Sequence, residues 1–79
     1  MKLIHIGGNK LVFTKNIIGI FSAADGFAAL GCTHEYISEP PYKSYVVAYD
    51  CELGGCKAYF TSLSVRTLLC RLKKHSVEL

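Results

Sequence analysis

Several groups of side chains in this chain are of types that carry chemistry, and each implies a different one. Cys32, His34, Cys51 and Cys56, with His5 and His75 spare, are the residue types that bind zinc. Structural zinc sites take their ligands in close pairs such as Cys-x₂₋₄-Cys, because one loop must present both thiolates. Cys51 and Cys56 sit at the edge of that spacing, and Cys32 and His34 are closer than is typical. The same two cysteines, Cys51 and Cys56, flank a tight loop, so a cross-strand disulfide or a pair of small buried thiols fits them equally. Cys70 falls on a helical stretch and reads as a packing residue. No bound metal and no cofactor are expected.

Catalysis finds little support in the pattern. Cysteine with histidine can form a nucleophile and its base, but no catalytic motif surrounds any of them. Asp25, Glu35, Glu39, Asp50, Glu52 and Glu78 make no spaced acid pair. Gly7-Gly8 lies between two β-prone runs and is not followed by the Lys-Ser/Thr of a phosphate loop. The expectation is a non-enzymatic protein without a small-molecule substrate.

The cations form the remaining group. Lys15, Lys43, Arg66, Arg71, Lys73 and Lys74 are the candidate phosphate contacts, within a formal net charge of +3. So few charges on one copy bind weakly, since affinity follows the number of phosphates neutralised; repetition in an oligomer multiplies it. The plain alternative is that they solubilise the surface, and that Lys73 and Lys74 complement the negative end of a helix dipole. No helix-turn-helix signature is present, nor an aromatic pair spaced like an RNA-binding sheet motif. Any DNA contact should therefore be to backbone and shape rather than to base edges.

The elements that must position these groups are legible in patches. Seventy-nine residues with 51% hydrophobic content make one folded domain, residues 1–79, rather than a disordered chain. Lys2–Ile6 and Lys10–Thr14 read as strands joined by a three-residue loop, Gly7-Gly8-Asn9. Ile17–Phe21 reads as a third strand, with Gly19 as a bulge or a close backbone approach. Ser22–Leu30 is alanine-rich and reads as a short helix stopped by Gly31, although Gly26 weakens it. Cys32–Pro41 shows no period, and Pro40-Pro41 forces an extended lead-in.

The C-terminal third is the best-defined part. Ser44–Asp50 and Cys56–Thr61 are β-branched and aromatic strands around a Gly54-Gly55 turn. Ser62 or Ser64 then caps a helix in which Val65, Leu68, Leu69 and Leu72 form one apolar stripe. The fold class is α+β: a mostly antiparallel sheet of about five short strands, a C-terminal amphipathic helix and a short middle one. No stretch is apolar for the roughly 18 residues needed to cross a bilayer, and the N-terminal run does not resemble a signal peptide. A cytoplasmic protein with reduced cysteines is expected.

One pattern points outward. Tyr45, Val47 and Tyr49 face one side of their strand while Val46 and Ala48 face the other, so both faces are apolar. Ile18 and Ile20 belong to a similarly two-sided run. A small antiparallel sheet normally leaves one face polar, so Ile18, Ile20, Tyr45, Val47 and Tyr49 are the expected homo-oligomer interface. The alternative is that the alanine-rich segment covers the second face.

Four blocks of the chain, in order, resemble the RemA/RemB family of extracellular-matrix (biofilm) regulators, closest to its RemB branch. They are Ile4-His5-Ile6-Gly7, then Thr14–Phe21, then Pro41–Val47, and finally Tyr59–Ser64 running into Thr67-Leu68-Leu69. The resemblance implies a cytoplasmic, non-enzymatic bacterial protein. RemA members bind DNA as transcriptional regulators and assemble into rings that present basic residues to the duplex. Where RemA proteins cluster arginines before the strand corresponding to Ser44–Asp50, this chain has Pro40-Pro41-Tyr42 and keeps only Lys43. The expected function is thus a regulatory DNA-binding homo-oligomer; the alternative is an oligomeric scaffold that binds protein and no DNA.

Overall fold

The structure, a computed structural model, describes residues 2–25, 31–52, 54–74 and 77–78. Strand β1 (Lys2–Gly7) pairs antiparallel with β2 (Lys10–Phe13). A 3-10 turn over Thr14–Asn16 leads into β3 (Ile17–Ser22), and another over Ala23–Asp25 follows it. Then come β4 (Thr33–Tyr36), β5 (Ser44–Asp50), β6 (Gly55–Thr61), the helix α1 (Val65–Lys74) and the short β7 (Val77–Glu78). The α+β class is as expected, but the strands form two sheets rather than one. Their orders are β2-β1-β7 and β3-β5-β6-β4.

The additional strands lie where hydrophobic periodicity is weakest. Thr33-His34-Glu35-Tyr36 has no apolar alternation of its own, yet it pairs parallel to β6, Thr33 opposite Lys57 through Tyr36 opposite Phe60. The exposed edge of β6 supplies the ladder that the segment could not specify alone. β7 is likewise a two-residue addition to the edge of β1. The expected middle helix begins as the 3-10 turn at Ala23–Asp25; its remainder, residues 26–30, lies outside the described residues.

The first hairpin is tighter than a three-residue loop. β1 runs through Gly7, which pairs with Lys10, and a bulge falls between His5 and Gly7. Gly8 and Asn9 remain as a two-residue turn with φ of 53° and 63°, both positive as a type I′ turn requires. Space is as restrictive as conformation here. A Cβ on Gly8 would lie 1.5 Å from the Ile37 carbonyl oxygen, and one on Gly7 would lie 2.6 Å from Thr61 Oγ1. The hairpin tip of one sheet is thus pressed against the end of the other.

Between the sheets, Ile4, Ile6, Val12, Val46, Ala48, Tyr59 and Leu68 form the main core, with Ile17, Ile20, Ile37, Leu63 and Leu72 packed around it. Burying side chains of this size contributes about 1.5–3 kcal/mol each. Val46 and Ala48 face this core, as the alternation along β5 requires.

The opposite face of the four-stranded sheet has its own cover. Tyr45 and Val47 are only 2% and 5% exposed, clustered with Ala58 and flanked by Cys32, Cys56 and Phe60. A row of rings crosses all four strands: Phe21 to Tyr45 at 5.3 Å, Tyr45 to Phe60 at 5.4 Å, and Phe60 to Tyr36 at 5.0 Å between centroids. Gly19 is where the Phe21 ring folds back, since a Cβ there would lie 2.6 Å from Phe21 Cζ. This corrects the expected oligomer interface. Tyr45 and Val47 are buried within one copy, and Ile20 packs on the main core; Ile18 (63%) and Tyr49 (49%) stay exposed.

Ser64, of the two serines expected, caps α1. Its Oγ accepts from the Thr67 amide at 3.2 Å and lies 2.9 Å from Thr67 Oγ1. Two fully buried hydroxyls fix the approach to the helix: Ser44 Oγ donates to the Leu63 carbonyl, and Thr61 Oγ1 accepts from the Leu63 amide. The apolar stripe is narrower than its spacing implies. Leu68 is buried and Val65 and Leu72 half-buried, whereas Leu69 is 43% exposed.

These contacts separate two costs at glycine. Gly54 also has a positive φ, of 67°, but nothing stands near its Cβ position. Gly54→Ala should cost only the left-handed conformation, about 1–2 kcal/mol. Gly8→Ala adds the collision with Ile37 and should lose more than about 3 kcal/mol, lowering Tm by over roughly 12 °C. Thermal unfolding of the two variants side by side checks this.

Candidate nucleic-acid interface

The exposed side of α1 carries the densest set of expected site residues. Arg66 and Lys73 are both exposed and stand seven positions apart, about two turns or ~10 Å along one side of the helix. Cys70 lies between them. On one flank a shallow open depression is lined by Val65, Arg66, Leu69, Cys70 and Lys73. On the other flank the lining is His5, Arg66, Thr67, Cys70 and Arg71. Among the described residues no carboxylate lines either.

Arg71 is tied to the first strand. Its Nη1 donates to the His5 carbonyl oxygen at 2.9 Å and lies 3.1 Å from His5 Nδ1. A guanidinium has five N–H donors, so this anchoring fixes the group while leaving others for an anion. Lys74 ends the helix, and its side chain lies outside the described residues.

Lys15 and Lys43 are elsewhere. Lys15 is exposed in the Thr14–Asn16 turn, just before Ile17, which is opposite Ala48. Lys43 is exposed just before Ser44, which is opposite Ser22. The two thus flank opposite ends of the β3–β5 pair, about 17 Å apart at strand rise. A single copy does not gather them into one patch.

Two further cations, not among the expected site residues, turn inward. Lys10 and Lys57 hold their ammonium groups 5.1 Å and 5.6 Å from the centre of the Tyr59 ring. Lys57 also pairs with Glu35 at 2.7 Å. That hydrogen bond holds the Lys57 ammonium above its ordinary pKa, against a smaller desolvation effect. The signal lies in the spacing, because Lys57 and Tyr59 are two apart on one strand and share a face.

The cysteines are paired differently from either expected arrangement. Cys32 and Cys56 form a disulfide with Cα atoms 4.8 Å apart, and Cys51 and Cys70 are exposed free thiols. Spacing along the chain could not show this, because Cys32 meets Cys56 only through the parallel pairing of β4 with β6. With a sequence separation of 24, the link removes loop entropy worth about 3 kcal/mol from the unfolded chain. It also takes two ligands out of the zinc set read from the sequence. Among the described residues no three His, Cys, Asp or Glu side chains converge as a metal site, and no helix is long and apolar enough to cross a membrane.

No protein-family model matches the chain, and comparison with curated proteins and with solved structures finds no significant match.

The Arg71–His5 contact has a measurable consequence. Arg71→Met should cost about 1 kcal/mol, since it removes a charge-assisted bond between helix and sheet at an exposed site. Arg66→Met deletes the same charge and should stay within about 0.5 kcal/mol. Urea midpoints of the two variants distinguish anchoring from charge.

Proposed function

We propose that this chain is a non-enzymatic regulatory DNA-binding protein of the RemA/RemB type, acting in the cytoplasm as a homo-oligomer that repeats a basic helix surface along the DNA backbone. The observation that carries this reading is the outer side of α1, where Arg66 and Lys73 are exposed, Arg71 stands half-buried on one flank, and among the described residues no carboxylate lines the adjoining depressions. Three phosphate contacts per copy give a salt slope of about −3, and several copies on one duplex steepen it. Lys15 and Lys43 serve as secondary contacts, brought into register only by neighbouring copies.

A second reading rests on Leu69 and Ile18, which are 43% and 63% exposed. Apolar side chains beside cations also fit an oligomeric scaffold whose partner is a protein and which binds no DNA.

Fluorescence anisotropy with a random duplex, across a salt series, separates the two. DNA binding should weaken with a log–log slope of about −3 or steeper. Arg66→Ala with Lys73→Ala should reduce both affinity and slope, and Lys15→Ala with Lys43→Ala should have the smaller effect. Light scattering on the same samples should give a discrete oligomer. Affinity indifferent to salt, or no binding, rejects the DNA reading; an oligomer persisting in that case favours the scaffold.

A further inference from the structure

The corner where β4 leaves the four-stranded sheet carries rings that neither reading above uses. Tyr36, the last residue of β4, is 59% exposed. Its ring lies 5.1 Å from that of Tyr42 and 5.0 Å from that of Phe60. Between the two tyrosines the chain carries Glu39, Pro40 and Pro41, all exposed, and Lys43, also exposed, follows Tyr42. This loop is clamped at both ends. The Ile37 amide donates to the Phe60 carbonyl at 3.0 Å and the Ser62 amide to Ser38 Oγ at 2.7 Å. At the other end the Lys43 amide donates to the Thr61 carbonyl, and the Lys43 carbonyl accepts from the Ala23 amide, each at 3.0 Å. Proline rings have no side-chain rotamers to freeze, so a clamped pair of them beside a tyrosine is a preorganised apolar contact.

Charge decides which partner fits it. Glu39 and Lys43 flank Pro40-Pro41-Tyr42 in the chain, and among the described residues neither is ion-paired within one copy. An acid at one end of an apolar loop and a base at the other make a surface complementary to itself. The exposed apolar spot at Leu69 lacks this property. It stands beside Arg66 and Lys73, where a second copy would bring like charge against like.

We propose that the loop 39–43, together with Tyr36, is the surface through which two copies of this chain pair about a two-fold axis. With the axis through Pro41, the two loops run antiparallel. Glu39 of each copy then faces Lys43 of the other, Pro40 faces Tyr42, and Pro41 faces Pro41. An isologous contact of this kind makes every such pair twice. The inference deepens the proposed function and rests on its homo-oligomer. It moves the contact from β5 side chains that one copy buries to a loop that one copy leaves open. Lys43 serves this seam first, in keeping with its secondary part in DNA contact.

Sedimentation velocity of the full chain across a dilution series tests the pairing without DNA. The wild type should associate. Glu39→Lys or Lys43→Glu alone sets like charges opposite each other twice and should weaken association at least about tenfold. Tyr36→Ser, which removes the exposed ring, should weaken it as well. The two single reversals mixed in equal amounts should pair with each other at wild-type strength, because every cation then meets a carboxylate. All three variants change exposed side chains, and their circular dichroism should match the wild type. A wild type that is monomeric at every concentration overturns the seam and the homo-oligomer together. A wild type that associates while the reversals match it overturns the seam and leaves the homo-oligomer standing. Reversals that weaken association without recovering on mixing overturn the two-fold pairing, and a Tyr36→Ser chain that associates normally removes the ring from the seam.

Discussion

The backbone contact between the Gly7-Gly8 turn and the residues Ile37 and Thr61 is the constraint on which the arrangement depends. Two small sheets have to enclose one core, and they can do so only if the hairpin tip reaches the far sheet without a side chain in the way. Once it does, Ile4 and Ile6 meet Val46, Ala48 and Tyr59, and Leu68 of α1 completes the same cluster. The buried hydroxyls of Ser44 and Thr61 sit at the same end of the sheet and fix Leu63, so the helix start inherits its position from that junction. Close packing without voids is what makes such a junction unforgiving.

The distribution of charge follows from this packing. α1 must turn Leu68 inward, which leaves Arg66, Cys70 and Lys73 outward and places Arg71 against His5 of β1. Lys10 and Lys57 instead gather around the Tyr59 ring, where their charge supports the fold. The basic surface is therefore concentrated on the helix rather than spread evenly over the chain.

Segments with a period of their own are legible in the amino-acid sequence. The β5–β6 hairpin, the capping serine and the helix can be read there because alternation, paired glycines and a 3.6-residue stripe are local signals. Thr33–Tyr36 has no such signal; its strand exists because β6 offers an edge, and the Cys32–Cys56 bond depends on that pairing. The two-sided apolar pattern around Tyr45 and Val47 is a true feature of β5, but what covers its second face is not another copy. Aromatic rings from neighbouring strands and the Cys32–Cys56 bond flank them within one copy, a cross-strand arrangement that sequence spacing does not encode. The basic residues of α1 are legible as a set, whereas the separation of Lys15 from Lys43 follows only from the antiparallel course of β3 and β5.

The bulge in β3 has a consequence for how copies can meet. β3 is an outside strand of its sheet, and its register breaks between Ile17 and Gly19, with Ile18 standing 63% exposed at the break. A bulge twists an edge away from the flat ladder that a neighbouring strand would need. The outside strand at the far edge, β4, is short and bears His34 and Glu35. Strand-by-strand growth into a continuous inter-copy sheet is thus discouraged at both borders. Were copies of the chain to associate, the surfaces left to them would be side-chain faces rather than strand edges, and such faces limit the number of partners by shape.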